Sequence, residues 1–407
     1  MIKAIKIRLY PTETQQITIN KLLGCCRLVY NHCLEHRNKL YQETKESGSL
    51  SKSYKYFCEM KEMEEFSFLK TDAHSKVIQQ TLIDQDVAFK NFFNKKSKFP
   101  KFKSKKDNEQ KCRFPKDAMS GNRGKLKGIQ GNRINIIKSL NNIHFKCSHR
   151  DEIYLNKNQR FIASATLSRT CSGKYYLSIK INKPHEVRFK KTNNIVGIDL
   201  GIKDLIITSN GEKFENKQFY RKQENKLKKL NRKFAKAQLT SNNHQKLRVK
   251  IAKLNEKIKN QRSWYIHHIV NQLLNENQVI VMEDLNVSGM MQNHKLAKSI
   301  QDVSFSELKR ILKYKASWED KQVVFIDRFY PSSKLCSACG YKNTDLQLSD
   351  REWVCPECGV VHDRDINAAK NILNEGKRII GLSSPEFKRV GERTLVSSMN
   401  LEQNVRC

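Results

Sequence analysis

Two Cys-x-x-Cys pairs, Cys336/Cys339 and Cys355/Cys358, stand fifteen residues apart within PSSKLCSACGYKNTDLQLSDREWVCPECGVVHDRDINAAKNIL, residues 331–373. A chain brings four thiolates to a tetrahedral Zn²⁺ by placing two Cys in each of two tight knuckles and joining the knuckles by a short hairpin. Gly340 and Gly359 each follow a second Cys, where a knuckle turns sharply and needs permissive backbone angles. Four ordinary buried cysteines would not explain the paired spacing, so residues 331–359 are expected to form a zinc ribbon around one structural Zn²⁺. Directly behind it, Asp363, Arg364 and Asp365 open an apolar helical run. A carboxylate at a helix start is either a plain N-cap or a member of a site whose other members lie elsewhere.

The chain is 407 residues long, enough for two to four domains with real cores. Its 77 Lys and Arg against 41 Asp and Glu leave a formal charge of +36. Such a surplus calls for an anionic partner, and a polyanion is the economical one. A membrane surface is the rival, but no basic amphipathic anchor or long apolar run is apparent. The start, MIKAIKIRLYP, lacks the apolar core of a signal peptide. The eight cysteines outside the two pairs (Cys25, Cys26, Cys33, Cys58, Cys112, Cys147, Cys171 and Cys407) follow no framework spacing, which fits reduced thiols in a cytoplasm.

In chain order, Ile5, Ile7 and Leu9 alternate with Lys6 and Arg8 as a half-buried strand that Pro11 ends. Thr12 caps a helix, Gln15 completes a capping box, and apolar residues from Ile19 to Leu34 keep helical spacing. A Ser- and Lys-rich loop is expected near 45–53, then a helix from about Thr71 to Asn94. Residues 95–116 interleave Lys with Phe99, Phe102 and Phe114, a pattern suited to phosphates and stacked bases but also to a solvated loop. Short alternating runs at 132–137, 161–167 and 175–181 read as antiparallel strands able to close a small barrel with the first strand. Residues 183–194 read as a linker.

Ile195–Asp199 is then a buried strand ending in a carboxylate, followed by a hairpin with its turn at Asn210–Gly211. Residues 221–278 read as a basic helical hairpin turning at Thr240–Asn243. Val279–Met282 is a second buried strand ending in Glu283 and Asp284. Strand alternation sends these two to opposite faces, and Glu283 keeps step with Val281. A helix over 305–318 and a strand over 323–326 lead back to the cysteines. Asp199, Glu283 and Asp365 thus stand at the ends of two strands and the start of a late helix, an order that can gather them at one edge of a mixed, ribonuclease-H-like sheet. Carboxylates without His or Cys suit hard Mg²⁺ (two ions, with Mn²⁺ an alternative), which can drive in-line attack on a phosphodiester.

With VGIDLGIKD (196–204), VIVMEDL (279–285), YPSSKLCSACG (330–340), CPECG (355–359) and HDRDINAAKNI (362–372) in this order, the chain resembles the TnpB family. Members are RNA-guided DNA nucleases of bacterial and archaeal insertion sequences, related to type V CRISPR effectors. The resemblance runs over nearly the whole chain, to about Leu373. It implies a multidomain α+β protein: a wedge β-barrel (1–10 and 111–185) interrupted by a helical recognition subdomain (11–110), then a RuvC nuclease domain (195–330 and 360–375). The basic hairpin (221–278) and the zinc ribbon (331–359) are insertions, and 376–407 is a disordered tail. The family's catalytic and Mg²⁺-binding triad falls on Asp199, Glu283 and Asp365, with Asp363 the alternative to Asp365, and its zinc ligands on the four cysteines. Ser75, Lys76 and Gln79 fall where the family contacts the short DNA motif flanking its target, although the helix register between Gln79 and Gln80 is open. Gln suits adenine recognition.

By that resemblance a guide RNA from the element's own end pairs with double-stranded target DNA beside the flanking motif, and a monomeric protein holds the ribonucleoprotein in a prokaryotic cytoplasm, on the nucleoid when bound to DNA. A divalent-metal-dependent endonuclease is the first reading. An RNA-guided DNA-binding repressor that does not cut is the alternative, against which the intact carboxylates argue. A transposase or junction resolvase is a third, since a RuvC-like site alone does not name its substrate.

Overall fold

A computed structural model describes residues 2–46, 48–107, 109–119, 129–182, 187–347 and 349–381. Two compact units divide the chain: Met1–His185 with Phe234–Lys253, and Glu186–Lys233 with Leu254 onward.

In the first unit, β1 (Ile2–Tyr10) buries Ile5, Ile7 and Leu9 and turns Lys6 outward, as a period of two requires. Thr12 caps α1 (Glu13–Thr44) through the expected box. Its hydroxyl accepts from the Gln15 N–H, while its own N–H donates to Gln15 Oε1 at 3.0 Å. Two otherwise orphaned donors are satisfied, a cap of about 1 kcal/mol. The predicted stripe, including Ile19, Leu22, Val29 and Leu34, is buried. Ser49 ends the expected loop early by capping α2 (Leu50–Glu62), which inserts Phe57 and Met60 into the core. The single helix expected from Thr71 is divided: α3 (Leu69–Asp72) stops at Ala73, whose backbone is extended, and α4 (Ser75–Phe93) begins two residues later.

The strands β2 (Glu109–Pro115), β3 (Ile129–Gln130), β4 (Arg133–Ile134), β5 (Ile143–Lys146), β6 (Ile162–Thr170) and β7 (Tyr175–Asn182) join β1 in an antiparallel sheet, with short helices α5 (Lys116–Met119) and α6 (His149–Lys157) between them. Its order is β2-β6-β7-β1-β5-β4-β3. The expected closed barrel is not what forms. Among the described residues β2 and β3 remain edges, and β3 and β4 offer only two ladder residues each, too few for the tilt and stagger that closure needs. Phe114, expected among nucleic-acid-facing aromatics, is also corrected: it lies on the inner face of β2 and is fully buried. Phe99 and Phe102 are exposed, with Phe99 edge-on to Phe89 and Phe92.

In the second unit, β8 (Ile195–Asp199), β9 (Asp204–Thr208) and β10 (Lys213–Glu215) form an antiparallel meander; the helical hairpin α7 (Glu224–Lys236) and α8 (Asn242–Glu276) follows in the chain, its residues 234–253 belonging to the first unit. Then come β11 (Val279–Glu283), α9 (Val287–Met290), α10 (His294–Val303), α11 (Phe305–Trp318), β12 (Gln322–Ile326), the ribbon strands β13 (Glu352–Val354) and β14 (Val361–Asp363), and α12 (Arg364–Ile379). The sheet order is β10-β9-β8-β11-β12, with β8, β11 and β12 parallel. Parallel strands are buried on both faces, which explains their uninterrupted apolar runs. Val196, Ile198, Ile280 and Met282 face a core shared with Ile269, Leu308 and Leu312. Val279 and Val281 face the opposite core with Ile372 of α12. Residues 376–379, assigned to a tail by sequence, instead complete α12, with Gly376 buried against Val281; of the rest of that expectation, 382–407 lies outside the described residues.

Candidate active site and metal centre

Both Asp199 and Glu283 follow from strand alternation. β8 and β11 run parallel with Ile198 opposite Met282, so the next residues, Asp199 and Glu283, end adjacent strands together. Since Ile198 and Met282 face the α11 side, the two carboxylates turn to the α12 side. Asp284, one residue on, takes the other face and pairs with Lys309 of α11.

Two close approaches bring α12 against that sheet face. A Cβ on Gly197 would meet the Ala369 carbonyl at 2.2 Å and the Leu373 nitrogen at 2.6 Å, and one on Gly376 would meet Val281 at 2.3 Å. Only glycine lets helix and strands approach this closely. The helix start is held by Asp363, which accepts from the N–H groups of Asp365 and Ile366 at 3.0 Å and from Lys213 Nζ at 2.6 Å. Asp363 is therefore the N-cap. Burial alone would raise its pKa, but the Lys213 ammonium and the two N–H groups hold it below the usual carboxylate range. Asp365, in the first turn, contacts Arg351 of the ribbon at 3.1 Å and Arg364 at 3.4 Å.

Asp199 is pushed up to about 7, first by burial, then by the negative charges of Glu283 and Asp365. The Leu200 N–H and Arg364 oppose the shift without cancelling it. Burial also raises Glu283, against a 2.6 Å hydrogen bond donated by Ser332 Oγ. Three carboxylates thus share one electrostatic neighbourhood: Arg351 and Arg364 face Asp365, while Asp199 and Glu283 are both raised, a condition that a divalent cation would relieve. They are not gathered into a tight ligand set: among the described residues only the four cysteines bring three or more such ligand atoms within 4.8 Å of one another. On the Asp284 side, an open pocket of about 530 Å³ is lined by Lys309, Arg310, Lys313 and Arg328 with Asn286 and Ser288.

The cysteine site is built as its spacing requires. Cys336 and Cys355 each accept at their carbonyl from the glycine four residues on, Gly340 and Gly359, at 2.9 Å. Both glycines have left-handed backbone angles, φ +81° and +71°. The sulfur pairs Cys336–Cys358 and Cys339–Cys355 lie 3.6 Å apart, close to the about 3.8 Å edge of a tetrahedron with Zn–S bonds near 2.3 Å. The cluster fits a structural zinc, with Trp353 packed behind Cys336 and Cys355.

Of the residues proposed to read a flanking DNA motif, Ser75 and Lys76 are exposed at the start of α4 and Gln79 is half-buried, whereas Gln80 is buried and bonded to Asp84. Lys76 pairs with Asp117 at 3.0 Å. Sequence reasoning missed Ser332 and Arg351 as neighbours of the carboxylates. Ser332 was legible only as part of the PSSK run preceding the first knuckle.

Three family models match the chain: a "Helix-turn-helix domain" of the OrfB_IS605 type over residues 1–46, the OrfB_IS605 "Probable transposase" over 178–294, and the "Cas12f1-like, TNB domain" over 305–372. A protein of Streptomyces pristinaespiralis that carries the provisional name of RNA-guided DNA endonuclease is 35% identical over 374 residues, 92% of this chain and 89% of the relative. InsQ of Escherichia coli K12, similarly named, is 30% identical over 394 residues, 93% of each. Among solved structures, a Cas12f1–sgRNA–target DNA complex aligns with a TM-score of 0.54 at 15% identity, covering 92% of this chain and 99% of that one, a likeness of fold.

Proposed function

The chain belongs to the TnpB family of RNA-guided DNA endonucleases, and from that premise we propose that it cuts double-stranded DNA at sites chosen by a guide RNA transcribed from the end of its own insertion sequence. The observation that carries this reading is the meeting of Asp199, Glu283 and Asp365 from β8, β11 and α12 at one end of a mixed sheet. We assign that sheet to a RuvC-type, ribonuclease-H-like domain and those three residues to catalysis.

The donor set suits Mg²⁺ or Mn²⁺, and a pair of such ions bound there supplies Lewis acidity at the scissile phosphodiester and a more acidic water. The protein's own part is to hold and aim. Asp199 and Glu283 present oxygens from rigid strand ends, and Asp365 adds a third from the first turn of α12. Ser332 fixes one oxygen of Glu283, while Lys309, Arg310, Lys313 and Arg328 line a basic pocket on the opposite, Asp284 face of the sheet. Ser75, Lys76 and Gln79 are assigned to the flanking DNA motif, with the exposed start of α4 as support. The ribonucleoprotein is assigned one protein copy. The non-cutting repressor reading would predict lost carboxylates, and all three are present.

Changing the guide tests the assignment. The complex is purified with RNA from the element's end, and the guide segment is then rewritten. Cleavage that moves to the newly matched DNA is the expected outcome. Cleavage that ignores the guide, or protein that recovers no RNA, contradicts it.

A further inference from the structure

The ribbon's first knuckle begins in a short turn that hangs from α12. Asn371 is 3% exposed and donates its side-chain amide to two carbonyls, Ser332 at 2.8 Å and Leu335 at 2.7 Å. One helical turn earlier, Asn367 is 1% exposed. It donates to the Leu335 carbonyl at 2.6 Å and accepts from the Ser337 N–H at 2.9 Å. Residues four apart on a helix share a face, so the two amides form one docking stripe. Their partners are backbone groups that burial would otherwise leave unpaired. The turn closes on itself through the Lys334 and Leu335 N–H groups, both donating to the Pro331 carbonyl. Ser332, 5% exposed, is thereby fixed with its hydroxyl 2.6 Å from Glu283 Oε1.

We propose that Ser332 is a positioning residue for Glu283, hung from α12 by Asn371, so that the zinc ribbon sets the aim of an active-site carboxylate. This rests on the assignment of Glu283 to the metal-binding triad. A carboxylate at a strand end has free side-chain torsions, and one short bond to a hydroxyl held at its own carbonyl removes them. With that bond, α12 governs all three acids: Asp365 it carries, Asp199 it locates through Gly197, and Glu283 it reaches through Asn371 and Ser332.

The test compares wild type, Ser332→Ala, Ser332→Thr and Glu283→Gln as full guide-loaded ribonucleoproteins. Single-turnover cutting, bound RNA, zinc content and the Mn²⁺-dependent rise in melting temperature are measured for each. Ser332→Ala is expected to keep RNA and zinc, to cut about 10–100-fold more slowly, and to need more Mn²⁺ for half of the thermal shift. Ser332→Thr, which keeps the hydroxyl, is expected to restore both. Wild-type cutting and Mn²⁺ response in Ser332→Ala would overturn the proposal. So would a parallel loss of RNA, zinc and cutting that Thr does not rescue. Full cutting by Glu283→Gln would instead remove the assignment of Glu283, and the proposal with it.

Discussion

At the scale of single residues, the account turns on Asp199. Its carboxyl is raised to about 7 because burial and two neighbouring acids oppose its charge. In the folded, metal-free protein it therefore holds a proton that the unfolded chain, with an ordinary carboxylate near 3.9, has released. Between about pH 4 and 7 the native state binds more protons than the unfolded one, so this group makes stability fall as pH rises through that window. The cost at pH 8 is on the order of a few kcal/mol. Asp199→Asn, which cannot ionise, is expected to melt higher than wild type at pH 8 without divalent metal, with the gap closing toward pH 4. Thermal melts across pH check this, and equal pH dependence of the two proteins would count against the electrostatic picture. Asp199 was legible in the sequence because a carboxylate closing a buried apolar strand needs compensation. The N-cap role of Asp363 against the site position of Asp365 was not, because two carboxylates two residues apart at a helix start differ only in where the helix begins.

At the scale of elements, α12 determines the site, and glycine sets how closely it packs. Gly197→Ala forces a methyl into the Ala369 carbonyl and is expected to destabilise by about 2 kcal/mol or more. Gly24→Ala, within α1 and with nothing within 4 Å of the added carbon, is expected to stabilise by about 0.5–1 kcal/mol. Opposite shifts in denaturation midpoint are the check. The ribbon is a second test: Cys355→Ser removes one of four sulfurs, and its bound zinc, measured by elemental analysis, should fall from about one per chain toward zero. Elements with long periodic stretches, α1, α8 and α11, were legible in the sequence. The closure of the N-terminal sheet was not, because alternation marks a strand's faces but says nothing about whether its edges find each other. Nor was the docking of the ribbon on α12. Asn367 and Asn371 sit four apart beside Asp365, yet their partners are backbone carbonyls more than thirty positions away, which no side-chain pattern reveals.

At the scale of the whole molecule, +36 of formal charge is the property that any partner must meet. None of the helices among the described residues is long and apolar enough to cross a membrane. Guide RNA neutralises that charge by releasing condensed counterions, so affinity for the RNA should fall at least tenfold between about 50 and 200 mM salt. Filter binding across that range checks it, and a flat response would show that charge does not govern assembly. The most direct test of the central claim is plasmid cleavage by the guide-loaded ribonucleoprotein, with and without Mg²⁺, beside Asp199→Ala. The account predicts metal-dependent cutting at the guide-matched site that Asp199→Ala abolishes while still binding RNA and target. Guide-directed binding without cutting by wild type, or undiminished cutting by Asp199→Ala, would contradict it.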